Sequence, residues 1–168
     1  MNPSGGYMDM QWMSWTQLYP YVRSANIAIQ KLTENEGGLD AGLTKRLLGE
    51  AYFMRGYFFS QLMRQYGGIV LLTEPLTLDS EAQNPRSSFE DTVNQIVSDL
   101  DQAISLLSNA PASKARAHSL TAHALKSRVL THAASDLYEP SKAGSISTLG
   151  SYGNKELVGY TGGSQDQR

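Results

Sequence analysis

The sequence predicts an all-α chain of antiparallel helical hairpins joined by long loops. Four stretches repeat apolar residues at three- and four-residue steps. Glycine pairs or prolines follow each of them. The one stretch with strand character, Ile69 to Leu72, has no second strand to pair with.

The first helix carries Trp15, Leu18, Val22, Ala25, Ile29 and Leu32 on one face, and Gly37-Gly38 ends it. The second runs from about Asp40 to Tyr66. Leu43, Leu47, Ala51, Met54, Phe58, Leu62 and Tyr66 form its stripe, and Gly67-Gly68 closes it. The third begins at Ser87 or Ser88, either a suitable N-cap, with Glu90 and Asp91 where carboxylates suit the helix dipole. Its stripe is Phe89, Val93, Ile96, Leu100, Ala103 and Leu107, and Pro111 stops it. The fourth starts near Ser119 or Thr121 and passes through Ala124, Leu125, Val129 and Ala133 to Leu137, with Pro140 at its exit. The 67–88 stretch between the hairpins reads as an extended surface loop. Stacked helix pairs of this kind are the unit of tetratricopeptide-like solenoids.

Length and composition narrow the function. One domain suits 168 residues, of which 40% are hydrophobic and 18% charged. A formal net charge of −2 gives no electrostatic footprint for nucleic acid. With no cysteine there is no disulfide framework, thiolate zinc site or cysteine nucleophile. Apolar runs are too short for a membrane-spanning helix. The first six residues show no secretory signal, which leaves a cytosolic protein or a chain that starts downstream of its natural beginning. Residues 139–168 hold six of the 15 glycines and read as a loop leading to an absent further helix. The helical scaffold, residues 1–138, is then partial, and the chain reads as a fragment.

Residues 49–68 crowd Tyr52, Phe53, Tyr57, Phe58, Phe59 and Tyr66 onto the second helix, which marks it as the central, mostly buried one. Gly49, Gly56 and Ser60 share a face that would let a partner helix approach closely. Glu50 and Arg55 are expected as partly buried structural charges, paired with helix neighbours or loop backbone. His118, His123 and His132 lack the spacing of a helical metal pair, and no nucleophile elbow, phosphate loop or dinucleotide fingerprint occurs. No catalytic, metal or cofactor residue is therefore assigned. Near the start, Tyr7 and Trp12 precede the clear periodicity, beside Asp9 and Gln11. Flat rings next to polar side chains suit a sugar's C–H faces and hydroxyls, which makes these four the candidate ligand-binding residues. Alternatively, Trp12 extends the first helix and packs.

These residues also carry a family signature. Trp15, Tyr19, Arg23 and Asn26 form W-x3-Y-x3-R-x2-N, which resembles the first conserved helix of the SusD/RagB family of outer-membrane nutrient-binding lipoproteins. GEAYFMRGYFF…QYGG, with Gly49, Glu50, Arg55, Tyr66, Gly67 and Gly68, is similar to that family's second block. PRSSFEDTVNQIVSDLDQAISLL, with Arg86 and Asp99, resembles its third block, and LTAHALKSRVLTHAASDLY, with Lys126 and Arg128, its fourth. Gly56 replaces the family's usual Ala, and Val70 stands where Pro is frequent. The resemblance implies structural roles for these motif residues. It also implies glycan or nutrient binding without catalysis on the outward face of the outer membrane. The expected partner is a TonB-dependent, SusC-like transporter that takes up the ligand, with a lipid anchor absent from this chain. The alternative from residues alone is a generic tetratricopeptide-like scaffold for protein interaction.

Overall fold

The computed structural model describes residues 13–35, 37–76, 84–109, 115–139, 142, 145 and 151–161. Four α-helices follow one another among them: α1 (Trp15–Glu34), α2 (Ala41–Tyr66), α3 (Phe89–Leu106) and α4 (Ser119–Ala133). Short 3-10 turns lie at Asp136–Tyr138 and Lys155–Leu157. No strand occurs among the described residues, and Ile69 to Leu72 is extended loop. α2 packs on both α1 and α3, while α4 packs chiefly on α3, which makes α2 the central rod. None of the helices is long and apolar enough to cross a membrane.

Local chemistry sets the helix ends. The Asp40 carboxylate accepts from the backbone N–H groups of Gly42 and Leu43 at 2.9 and 3.0 Å, satisfying donors that open α2. Ser88, rather than Ser87, caps α3: its hydroxyl accepts from Asp91 N–H and donates to the Asp91 carboxylate. α1 closes two residues before Gly37, on Asn35 in the left-handed region, a conformation Asn tolerates better than most residues. At Gly67 (φ +74°) the requirement is stricter, because a Cβ there would lie 2.1 Å from the Leu157 carbonyl oxygen. A Cβ on Gly68 would lie 2.2 Å from the Ser87 carbonyl oxygen. The Gly-Gly pair thus ends α2 at a point where two other backbone segments pass.

All six apolar positions expected along α3 are buried. The expected α2 stripe needs correction. Met54 is exposed and Phe58 half-buried, whereas Arg55, Phe59, Leu62 and Met63 are buried. A helix touched by neighbours on several sides has no single apolar stripe. The predicted close approach does occur: a Cβ on Gly49 would lie 2.8 Å from Leu107 Cγ, and one on Gly56 would lie 3.3 Å from Leu100 Cδ2.

Two further expectations are revised. α4 ends at Ala133, and the following 3-10 turn leaves Leu137 exposed, because the chain turns back so that Tyr138 stacks on Phe89 with ring centroids 4.4 Å apart. Of the glycine-rich stretch, the described residues 151–161 pack in part into the core. Gly68 N–H donates to Leu157 O at 2.7 Å, Tyr160 N–H to Tyr138 O at 3.1 Å, and the buried Tyr160 ring meets Phe89 edge-on. Gly159 permits this docking, since a Cβ there would lie 2.9 Å from Tyr138 O.

Candidate ligand-binding surface

The start of α1 meets the end of α2 in an aromatic cluster. Trp15 lies 4.7 Å from Tyr19 and 5.3 Å from Tyr66, centroid to centroid, the latter pair edge-on. Ser14 makes no side-chain cap. Instead the Tyr66 hydroxyl accepts from Trp15 N–H at 3.1 Å, and Gln65 donates to Met13 O at 2.9 Å. The α2 end therefore does the capping that Ser14 leaves undone.

From this cluster the 67–76 segment runs along α1, held by side chains that donate to its carbonyls. Tyr19 donates to Val70 O at 2.8 Å, and burial pushes its phenol pKa upward, so the hydroxyl stays protonated as the donor. Asn26 donates to Leu72 O and Glu74 O at 2.7 and 3.2 Å. Arg86 donates to Gly68 O at 2.8 Å and also to Tyr66 O. Pro75 biases Glu74 toward extended backbone.

Beneath the segment lies a buried polar centre fed by three helices. Arg55 of α2 grips Asp99 of α3 bidentately at 2.6 and 2.9 Å, and donates to Asn26 Oδ1 of α1 at 3.0 Å and Thr73 O at 2.9 Å. Gln95 adds a bond to Asp99 at 3.1 Å, and the guanidinium lies 5.4 Å from the Tyr52 ring centroid. Burial raises the Asp99 pKa above the usual carboxylate value, while the Arg55 and Gln95 contacts work against that rise. A buried pair persists only with its remaining donors and acceptors satisfied, and Asn26 and the loop carbonyls meet that need. Arg55 thus reaches loop backbone as expected, but its charge partner is Asp99 on α3 rather than a helix neighbour. Glu50 pairs with Arg116, in the loop before α4, again not with its own helix.

Two adjoining clefts flank the held segment. One, of about 290 Å³, is lined by Tyr19, Pro20, Arg23, Asn26, Leu72, Glu74 and Leu76. The other, of about 520 Å³, adds Ile29, Gln30, Thr33, Glu34, Thr73 and Pro75, and shares Asn26 and Glu74 with the first. Together they form a groove in which apolar patches alternate with hydroxyl, amide, carboxylate and guanidinium groups. No group of three His, Asp or Glu able to hold a metal ion occurs among the described residues.

The candidate ligand residues Tyr7, Asp9, Gln11 and Trp12 lie outside the described residues. Of the motif residues, Trp15, Tyr19, Asn26, Arg55, Tyr66, Gly67, Gly68, Arg86 and Asp99 converge on the segment, its cluster and its buried centre. Arg23 is exposed on the cleft wall. Gly49 and Glu50 lie toward the other end of α2, Lys126 pairs with Asp101 on α3, and Arg128 lines a cleft between α2 and α4. Loop backbone was expected as a partner of Arg55, but the Leu72 and Glu74 carbonyls that Asn26 holds were not, because a backbone acceptor carries no side-chain signature.

Comparisons with known proteins agree with this architecture. A SusD-like family model, described as starch-binding associating with outer membrane, matches residues 6–130. A SusD-like protein of Formosa agariphila is 31% identical over 94 residues, 55% of this chain and 18% of that protein. The crystal structure of a SusD-like protein from Bacteroides fragilis aligns with a TM-score of 0.62 and 30% identity, covering 81% of this chain and 30% of its own. A laminarin-binding SusD-like protein aligns with a TM-score of 0.66 over 79% of this chain and 28% of its own; at 22% identity that likeness concerns the fold. The chain spans 18% and 21% of the length of the curated relatives it matches.

Proposed function

The chain belongs to the SusD-like family of starch-binding, outer-membrane-associated proteins, and from that premise we propose that it is part of a non-catalytic glycan-binding protein on the bacterial surface. In this reading the bound glycan passes to a TonB-dependent, SusC-like transporter, and a lipid anchor outside this chain holds the protein on the outward face of the outer membrane. The observation that carries the proposal is that the family match, residues 6–130, takes in both helical hairpins and the segment clamped between them. The groove beside that segment supports it. Its apolar patches suit C–H faces, while Arg23, Gln30, Thr33 and Glu74 offer donors and acceptors to hydroxyls. The family description names starch, which favours a glucan among glycans.

Tryptophan fluorescence provides the test, since Trp15 is packed beside the groove and Trp12 is the only other tryptophan. Titration with malto- and laminari-oligosaccharides is expected to give a saturable change, reduced in Trp12→Ala and with the remainder reported by Trp15. No response to any glycan, together with a stable complex between the chain and a protein partner, would instead support the interaction-scaffold reading.

A further inference from the structure

A second cleft lies between α2 and α4, away from the groove along α1. It measures about 210 Å³, and its floor is Met63, Leu125 and Val129 with the buried Ser60. Its polar wall consists of Gln61 and Arg64 from α2 and Arg128 and His132 from α4. Among the described residues no carboxylate lines it. Arg55, Arg86 and Arg116 each donate at least two bonds to acceptors, but Arg64 reaches only Gln61 Oε1, at 3.5 Å, and Arg128 holds no acceptor among the described residues.

Helix ends account for part of this charge. Arg64 and His132 occupy the last turns of α2 and α4, where positive charge suits the dipole. That does not account for Arg128, nor for two helices turning guanidinium groups into one apolar-floored cleft. His132 adds no second cost of like charge: burial and the neighbouring Arg64 hold its pKa below the ordinary imidazole value, and its Nε2 lies 2.8 Å from the Tyr138 hydroxyl. Two delocalised cations with no carboxylate partner among the described residues, set above a greasy floor, complement a ligand with a carboxylate on one edge and a C–H-rich ring behind it. A bare inorganic anion would leave the floor unused, and a neutral sugar would leave the guanidinium groups unanswered.

We propose that the α2–α4 cleft is a second carbohydrate subsite that takes a sugar bearing a carboxylate, a hexuronate unit, between Arg64 and Arg128. The ligand class rests on the glycan-binding reading, whereas the site does not overlap the α1 groove. The two can therefore fail separately: tryptophan fluorescence reads the groove and the His132 imidazole resonances read this cleft.

The test is an NMR titration of the 168-residue chain with digalacturonate, with neutral galactobiose, with acetate, and with a short polyglutamate peptide. The expected result is a saturable His132 shift with digalacturonate, at least about tenfold weaker with galactobiose or acetate, and weakened further by added salt. Arg64→Gln and Arg128→Gln, both at exposed positions and so compatible with folding, are each expected to weaken binding at least about tenfold. Equal response to the neutral disaccharide, undiminished binding in the double variant, or tighter binding of the peptide would each overturn the proposal.

Discussion

Asn26 commits its entire side chain to its neighbours: both amide hydrogens go to the Leu72 and Glu74 carbonyls, and its oxygen to Arg55. Asn26→Ala removes three bonds, to the buried Arg55, the half-buried Leu72 and the exposed Glu74. At about 1 kcal/mol or more for each group left unmade, the loss should come to roughly 2–4 kcal/mol in urea unfolding at neutral pH. A loss under about 1 kcal/mol would show that water replaces the side chain and that the clamp is weak. His132 makes a pH-dependent prediction of definite sign. Its folded pKa lies below the ordinary value of 6.5, through burial first and Arg64 second. The unfolded chain therefore takes up the proton at a higher pH than the folded one, and stability falls as pH drops through about 6.5. Comparing the chain with His132→Gln at pH 7.5, 6.5 and 5.5 isolates that contribution from the carboxylates. The difference should shift in favour of the variant as pH falls, and a constant difference would contradict the assignment. Little of the Arg55 centre was legible beforehand. Its partners lie 18, 29 and 44 residues away, and one of them is a backbone carbonyl.

At the scale of elements, legibility followed the number of neighbours. On α3 the apolar spacing named each buried apolar position, though not the buried Thr92 and Asp99. α2 is gripped by α1 and α3 with α4 nearby, and there a periodic count favoured Met54 and Phe58 over Arg55 and Phe59. What did survive on α2 was the small-residue face, because glycines in a helix have few other reasons to stand seven apart. The two positions should respond oppositely to alanine. Alanine gains up to about 1 kcal/mol of helix propensity over glycine. At Gly49 the new methyl would sit 2.8 Å from Leu107 Cγ, and overpacking of about 1–3 kcal/mol outweighs that gain. At Gly56 the approach is 3.3 Å to Leu100 Cδ2 and Cγ, so the Leu100 side chain has to give by only a few tenths of an ångström. Chemical denaturation should show Gly49→Ala destabilised and Gly56→Ala unchanged or more stable. The same sign at both sites would mean that α2 and α3 repack as a unit.

On the scale of the molecule, helices that cap and clamp one another leave a backbone segment displayed along α1, with a mixed polar and apolar groove beside it. The helical architecture was readable because each rod carries its own apolar periodicity. The docking of Leu157 to Tyr160 was not, since it depends on backbone acceptors and on glycines that merely allow a close approach. The groove was half legible: Tyr19, Arg23 and Asn26 on its α1 wall belong to the quoted first-helix motif, whereas the wall from 72–76 carries none. The reading as a glycan-binding protein is tested most directly by calorimetric titration of the chain with linear malto- and laminari-oligosaccharides. Saturable binding with a dissociation constant on the order of micromolar to millimolar, weakened by Arg23→Met or Glu74→Gln without loss of fold, is the expected result. Absence of heat with every oligosaccharide, or binding that both groove substitutions leave untouched, would contradict it.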